Sequence, residues 1–133
     1  MENKSLTHDD LNLFTGDLER FRHWLCRRVI YTPGVHYLTE RGQAHWLLDA
    51  IAFYFRSNVM VRAIERDKRV KVMQFWRLEV RSDRSAILTA RADSDEEPFI
   101  SQSFRHTDFP LHCVHIWAAY DGEYWTLYLP SEH

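Results

Sequence analysis

Apolar residues near the start of the chain recur at helical spacing. Steps of three and four positions link Leu11, Phe14, Leu18, Phe21, Leu25 and Val29. Because this spacing places all of them within one stripe of a helix, it predicts a single amphipathic helix along this segment. Thr7 or Asp9 is the expected N-cap. Gly16 interrupts the pattern, so a helix that starts only at Asp17 is the alternative.

A second helix is predicted to begin after Thr32. A Thr suits the N-cap position, and the Pro33 that follows it suits the first helical turn. We expect this short helix to end at Gly42, because glycine is common where helices stop.

Residues 43–55 predict a third helix that is apolar around most of its circumference. Such a helix belongs in the centre of a core. Its one polar stripe consists of His45, Asp49 and Arg56. Residues 57–71 mix basic and acidic side chains, and we expect either a loop or a solvated helical extension there.

From residue 72 onward the apolar period changes from helical spacing to two, which is typical of strands. Asp121-Gly122 is a strong hairpin signal between the last two of them. The predicted strands cover residues 72–81, 86–90, 99–105, 114–120 and 125–129. Helices followed by strands predict an α+β fold, in which N-terminal helices pack on one face of a C-terminal antiparallel sheet of about five strands. We expect one domain over residues 1–133, with its helical part at about 7–66 and its sheet at about 70–130.

Composition and charge narrow the function classes. Net charge is −2 over 133 residues, with a surplus of basic residues up to residue 71 and of acidic residues beyond it. This mild asymmetry favours a solvated surface over a polyanion partner, although residues 62–71, Arg20, His23 and Arg27 are candidates for a basic patch beside exposed rings.

We find no apolar leader and no apolar run long enough for a membrane span, so we expect a cytoplasmic protein with reduced thiols. The motifs of nucleotide hydrolases, dinucleotide-dependent dehydrogenases, zinc proteases and α/β-hydrolases are missing from the sequence.

Two clusters resemble catalytic or metal sites. His45 and Asp49 lie one helical turn apart, and a carboxylate that orients an imidazole is half of an acid–base device. Because no nucleophile accompanies them, we favour the structural alternatives, which are an ordinary helix-surface pair or a polar pair that bridges to the sheet. His112-Cys113-Val114-His115 places thiol and imidazole on one face of a strand, but its spacing matches no established zinc pattern. We therefore predict no catalytic residue, no metal and no cofactor.

Polar groups near the end of the sequence have two readings each. Asp108 sits in Thr107-Asp108-Phe109-Pro110, where it either bonds a turn or binds a ligand, while Phe109 plugs the core. Glu132 and His133 either bind a cation or a partner, or latch this segment onto the fold, for example through an Arg of the first half. The candidate binding residues are therefore His45, Asp49, Arg56, Asp108, Glu132 and His133.

The chain resembles a family of small bacterial proteins of unknown function, number 6876, from about Leu13 onward. The motifs that carry the resemblance are Phe14-Thr15-Gly16, Tyr31-Thr32-Pro33-Gly34-Val35, His45-Trp46-Leu47-Leu48-Asp49-Ala50-Ile51, Phe75-Trp76-Arg77-Leu78, Thr107-Asp108-Phe109-Pro110-Leu111 and Leu129-Pro130-Ser131-Glu132. The resemblance implies an accessory bacterial gene, often carried on mobile elements, and a partner-binding or anti-defence role. It implies no reaction and no ligand.

These observations lead to three hypotheses. The first is a non-enzymatic protein-interaction module that binds a protein partner or itself as a homo-oligomer, because both faces of the predicted sheet carry apolar side chains. The second is a binder of a small ligand or nucleic acid through Arg and aromatic side chains. The third is an enzyme that uses His45 and Asp49. We expect no membrane partner and favour nucleic acid less than protein.

Overall fold

The computed structural model describes residues 6–15 and 19–133. Its helices are α1 (His8–Asn12), α2 (Pro33–Arg41), α3 (His45–Tyr54) and α4 (Asn58–Arg66), and a 3₁₀ turn follows α4 at Lys68–Lys71. Its strands are β1 (Phe21–Arg22), β2 (Val29–Tyr31), β3 (Met73–Val80), β4 (Ala86–Arg91), β5 (Ile100–Phe104), β6 (Cys113–Tyr120) and β7 (Trp125–Tyr128). The α+β class is confirmed.

The strands form one sheet in the order β1-β2-β7-β6-β3-β4-β5. All neighbours are antiparallel except β2 and β7, which run parallel. The prediction of about five antiparallel strands therefore missed β1, β2 and the parallel pair. Both extra strands lie in the part of the chain that was expected to be helical.

The single long helix predicted from Leu11 to Val29 is wrong. α1 ends at Asn12, and β1 and β2 form a hairpin in which Phe21 pairs with Tyr31. Hydrogen bonds, both local and distant, outweigh the helical spacing. The His23 ring accepts bonds from the backbone of the turn that follows it, and β2 pairs with β7 in the sheet. Leu18, Gly16 and the alternative start at Asp17 lie outside the described residues.

Side-chain caps start α1, α2 and α4, whereas α3 begins after Ala44 without one. The Thr7 hydroxyl accepts a hydrogen bond from Asp10 N and the Asp10 carboxylate accepts one from Thr7 N, which confirms Thr7 as the cap of α1. The Thr32 hydroxyl accepts from Val35 N at 3.3 Å, which confirms the predicted start of α2. The segment left open after residue 57 is mainly helix, and Ser57 caps α4.

The core lies between the helices and one face of the sheet. Along β3, alternate side chains from Gln74 to Val80 are buried, as the period of two predicts. α3 lies against this face, since the Tyr54 ring contacts Trp76 with centroids 5.7 Å apart. Phe109 is 1% exposed, which confirms it as a plug of the core.

Gly42 ends α2 for a packing reason. Its φ is −89°, whereas the following Gln43 adopts the left-handed value of 50°. A Cβ on Gly42 would lie 2.9 Å from Cε1 of Phe109 and 2.8 Å from the carbonyl oxygen of Leu38. The glycine therefore makes room for the plug rather than supplying backbone freedom.

Glu132 fastens the end of the described chain to α2. Its Oε1 accepts hydrogen bonds from the Thr32 hydroxyl at 2.6 Å and from Leu129 N at 2.9 Å, and its Oε2 accepts from Gly34 N at 3.3 Å. A carboxylate at a helix N-terminus is favoured by the helix dipole. We call these four residues the Glu132 clamp. It confirms the latch reading of Glu132, with a hydroxyl and backbone amides as partners where an Arg was expected.

The clamp predicts a specific stability coupling. We expect Glu132→Ala to lower the free energy of unfolding by about 1–3 kcal/mol, because Thr32 and Gly34 lose a charged acceptor. Urea unfolding of Glu132→Ala, Thr32→Val and the double variant measures the coupling between them. Glu123→Ala, on the exposed β6–β7 turn, is the matched control. Additive effects of the two clamp substitutions would contradict the direct contact.

Candidate functional site

A basic cleft of about 440 Å³ opens where the β1–β2 turn meets the β6–β7 hairpin. This volume is within the range of small-ligand sites. Leu25, Cys26, Arg27, Arg28, Phe55, Arg56, Ile64, Lys71, Tyr120 and Trp125 line it. Three of the cations are arginines and none of the described lining residues carries a carboxylate, so the cleft is suited to an anion.

Three aromatic rings form one wall of the basic cleft. The Trp125 ring lies 4.7 Å from Phe55 and 5.1 Å from Tyr120, measured between centroids. Trp125 N donates to the carbonyl oxygen of Arg28 at 2.7 Å, which ties the hairpin to the β1–β2 turn. The packed rings therefore present an apolar surface to the cleft that the cations also line.

The cations of the cleft are available to a ligand. Arg27, Arg28, Arg56 and Lys71 are all exposed. Among the described residues, no carboxylate lies within ion-pair distance of any of them. Elsewhere on the surface Arg69 shows the contrasting arrangement, since Asp67 and Glu96 both bind its guanidinium.

A buried histidine shapes the turn that carries two of these arginines. His23 Nδ1 accepts hydrogen bonds from Leu25 N at 3.2 Å and Cys26 N at 3.0 Å. Its Nε2 therefore carries the ring proton and donates it to Asp49 Oδ1 at 2.7 Å. The same carboxylate oxygen accepts from the Trp24 indole at 2.9 Å. Both imidazole nitrogens are occupied, so His23 holds the turn.

Trp24 lies on the same β1–β2 turn as Arg27 and Arg28, outside the lining of the cleft. Its side chain is 72% exposed although its indole N–H is bonded. Leu25 and Phe53 are also exposed beside the His23 turn. The bond to Asp49 fixes the indole edge and leaves the ring accessible, which is the arrangement of a stacking platform.

The structure separates the predicted acid–base pair. Asp49 is bonded to His23 and Trp24, whereas His45 Nε2 lies 3.6 Å from Glu40 Oε1 in an exposed ion pair. The three residues of the predicted polar stripe thus have three different roles. Asp49 supports the turn behind the basic cleft, Arg56 lines the cleft, and His45 lies on the surface with Glu40.

The other predicted site residues lie outside the basic cleft. Asp108 is exposed and its Oδ1 lies 3.1 Å from His106 Nε2, while Phe109 N donates the hydrogen bond of this turn to the Thr107 hydroxyl. His133 Nδ1 lies 3.0 Å from the Tyr128 hydroxyl. With Glu132 in its clamp, these residues do not form one site with Arg56.

The thiol–imidazole pair on β6 shows no metal geometry. Cys113 Sγ lies 3.7 Å from His115 Nε2, and no group of three or more ligands for a metal occurs among the described residues. Burial, and then the charge of Glu79, raises the pKa of the Cys113 thiol. Burial, and then Arg77, lowers the pKa of His115. Both groups are therefore biased toward their neutral forms, which opposes a reactive thiolate.

An aromatic row crosses the sheet face opposite the helices. Cross-strand pairing aligns Arg91, Phe75, Trp117 and Tyr128. Trp117 lies 5.4 Å from Phe75 and 6.1 Å from Tyr128, between ring centroids. The rings cover one another in part, and a cleft of about 270 Å³ remains beside them.

Several sequence motifs meet in this architecture. Glu132 binds the Thr32-Pro33-Gly34 motif, and the Thr107-Asp108-Phe109 motif places the buried Phe109 ring against Gly42.

A model of a family of unknown function, DUF6876, matches residues 5–133. The chain belongs to the DUF6876 family. No curated protein and no solved structure matches it. In the described part of this DUF6876 protein, no helix has both the length and the apolarity needed to cross a membrane.

Sequence reasoning found only part of the basic cleft of this DUF6876 protein. The sequence predicts Arg56 as a binding residue and places Arg27 and Lys71 in a candidate basic patch. It does not predict Trp24, Arg28 or the aromatic wall, because the helical spacing of residues 11–29 conceals the β1–β2 turn that Trp125 N bonds. Adjacent Arg27 and Arg28, shortly after Trp24 and Leu25, are the signal that the sequence contains.

The His23–Asp49 contact predicts different costs for two neighbouring substitutions on α3. We expect Asp49→Ala to lower the free energy of unfolding by about 1–3 kcal/mol, because a buried imidazole N–H loses its acceptor. His45→Ala is the matched control and is expected to change it by no more than about 0.5 kcal/mol. Urea unfolding followed by circular dichroism makes the comparison. Equal costs, or a larger cost for His45→Ala, would contradict the assigned contacts.

Proposed function

We propose that this DUF6876 protein is a non-enzymatic binding protein whose ligand carries phosphate and a planar ring, as nucleotides and single-stranded nucleic acids do. The observation that carries the proposal is the basic cleft, lined by three rings and by four cations that no carboxylate of the described residues pairs. Arginine matches phosphate in geometry and charge, and aromatic rings stack on bases. The proposal takes up the ligand-binding hypothesis ahead of the protein-interaction hypothesis.

Contacts around the cleft favour binding over catalysis. The Asp49 carboxylate is engaged by His23 and Trp24, so the acid–base enzyme loses the pair on which it depended. The thiol of Cys26, the one cysteine that lines the cleft, is buried, and the Cys26 amide is bonded to His23. The engaged carboxylate and the buried thiol both support a preformed binding surface.

The exposed Trp24 favours a ligand larger than one nucleotide. The cleft accommodates a phosphate and a ring, while Trp24 offers a second stacking surface outside the cleft. A single strand would use both, with its backbone along Arg27, Arg28 and Arg56. This arrangement corresponds to the charged track with stacking rings that is general for single-strand binding.

Fluorescence anisotropy with a labelled oligodeoxythymidine of about twelve nucleotides tests the proposal. We expect saturable binding that weakens as salt rises, because bound phosphates release counterions. Arg28→Ala and Arg56→Ala should each weaken binding at least about fivefold, since a charge-assisted contact contributes on the order of 1 kcal/mol or more. Arg81→Ala is the matched control, because Arg81 is exposed at the far end of β3, about 25 Å from Lys71.

Competitors distinguish the ligand classes. Displacement by thymidine monophosphate, with little effect of chain length, would identify a nucleotide site, whereas displacement only by oligonucleotides would identify a single-strand site. Oligoglutamate that competes as well as the oligonucleotide would show that only charge is recognised, which contradicts the role of the rings. Failure of all these probes at low salt, or equal losses in Arg28→Ala and Arg81→Ala, would overturn the proposal.

A protein partner is the second candidate, and the aromatic row on the outer sheet face favours it. Phe75 and Trp117 lie beside Arg77 and Arg91 at a cleft that the helices do not cover. An interaction that Trp117→Ala abolishes and Arg28→Ala preserves would support this candidate over the basic cleft.

The cellular setting belongs to the proposal as well. Action in the bacterial cytoplasm, on behalf of a mobile element and against host defence, is what the family resemblance suggested. A protein that binds single-stranded nucleic acid or nucleotides is compatible with that role, because both ligands are present in the cytoplasm in which a mobile element meets host defence.

A further inference from the structure

The two edges of the sheet differ in length. β1 forms one edge with two residues, whereas β5 forms the other with five, Ile100–Phe104. β5 pairs with β4 from Ala86 to Ala90 on one side only. Its other side presents backbone groups that no strand of the described chain pairs.

Within its five residues, Ile100–Phe104, the β5 edge carries no Lys, no Pro and no charge that would protect it against pairing. Natural edge strands carry Lys, Pro, bulges or inward-pointing charges. The centre of β5 is Ser101, Gln102 and Ser103, which are neutral, and Gln102 accepts a hydrogen bond from the Tyr54 hydroxyl on the helix side. A regular, uncharged edge of this length is ready to accept a further strand.

Charges flank this edge in a self-complementary order. Residues 93–97 carry four acidic side chains before β5, and Arg105 and His106 follow it. Glu96 is bound by Arg69, which leaves Glu97 exposed at one end and Arg105 exposed at the other. In antiparallel pairing the start of one strand meets the end of its partner, so Glu97 of each copy would approach Arg105 of the other.

Apolar side chains on the helix side fit the same arrangement. Phe104 is half-buried and contacts Trp46 with ring centroids 5.1 Å apart. If the two copies align at Gln102, all five residues of β5 pair and Ile100 lies opposite Phe104. The half-exposed Phe104 would then be covered from the side that is open in one chain.

We propose that β5 pairs in antiparallel fashion with β5 of a second copy of this chain, joining two sheets across a two-fold axis. The arrangement is isologous, so each copy supplies the same strand, the same acidic end and the same basic end. It does not depend on the proposed ligand. The basic cleft is built from the opposite part of the sheet and from the β6–β7 hairpin.

Light scattering coupled to size exclusion, over a range of protein concentrations, tests the pairing. We expect a dimer for the unaltered chain, at least a tenfold weaker dimer for Arg105→Glu, and recovery when Glu97→Arg is added to Arg105→Glu. Arg81→Glu is the matched control for charge alone and should leave the dimer intact. A chain that stays monomeric at every concentration, or a dimer that Arg105→Glu leaves unchanged, would overturn the proposal.

Hydrogen exchange distinguishes this interface from others. Amides of β5 that face away from β4 should exchange slowly in the dimer and quickly in Arg105→Glu. Rapid exchange of all outward amides of β5 in a confirmed dimer would also overturn the proposal, because the contact would then lie elsewhere. Oligonucleotide binding by Arg105→Glu is expected to match the unaltered chain, which separates this test from that of the basic cleft.

Discussion

The Glu132 clamp is the contact on which the arrangement of sheet and helices depends. One carboxylate receives the Thr32 hydroxyl, the Gly34 amide and the Leu129 amide, so it joins the end of β7 to the start of α2. β2 leads directly into α2 and lies parallel to β7, which places both ends of this connection side by side. Gly34 is part of the constraint, because a Cβ there would lie 2.6 Å from Glu132 Oε1. The close fit leaves space for a carboxylate and no more.

With β2 held against β7, the basic cleft follows from a second small set of contacts. His23 closes the β1–β2 turn through two backbone amides, and Asp49 holds the imidazole from α3. The turn then lies beside Trp125, whose backbone N–H donates to the carbonyl oxygen of Arg28. Cations and rings that are remote in sequence thereby meet at one end of the sheet. The site is therefore a consequence of the contacts that hold this hairpin in place. Those contacts use groups other than the cleft arginines, which no carboxylate of the described residues pairs.

The features that local chemistry determines were predictable from the sequence. Thr32 and Pro33 start α2 as their capping chemistry requires, the period of two marks β3, and Phe109 plugs the core. The β1–β2 hairpin was not predictable in this way, because its stability comes from a ladder on β7, about a hundred residues away. Helical spacing predicts Arg56, which follows the end of α3, as a polar position, but its proximity to Arg28 in the cleft depends on that same distant pairing. Spacing along one helix predicts His45 as the partner of Asp49, because it contains no information about His23, the partner that comes from another part of the chain.

The most direct test of the basic cleft is an NMR titration of the five tryptophan indole N–H signals with a short oligodeoxythymidine. Four of these rings sample different parts of the fold, with Trp125 lining the cleft, Trp24 on the β1–β2 turn outside it, Trp117 on the outer sheet face and Trp46 beside β5. The account predicts that the Trp24 and Trp125 signals shift together and saturate while those of Trp117 and Trp46 stay in place. A saturating shift at Trp117 with Trp24 and Trp125 unmoved, or no shift at any of them, would contradict it.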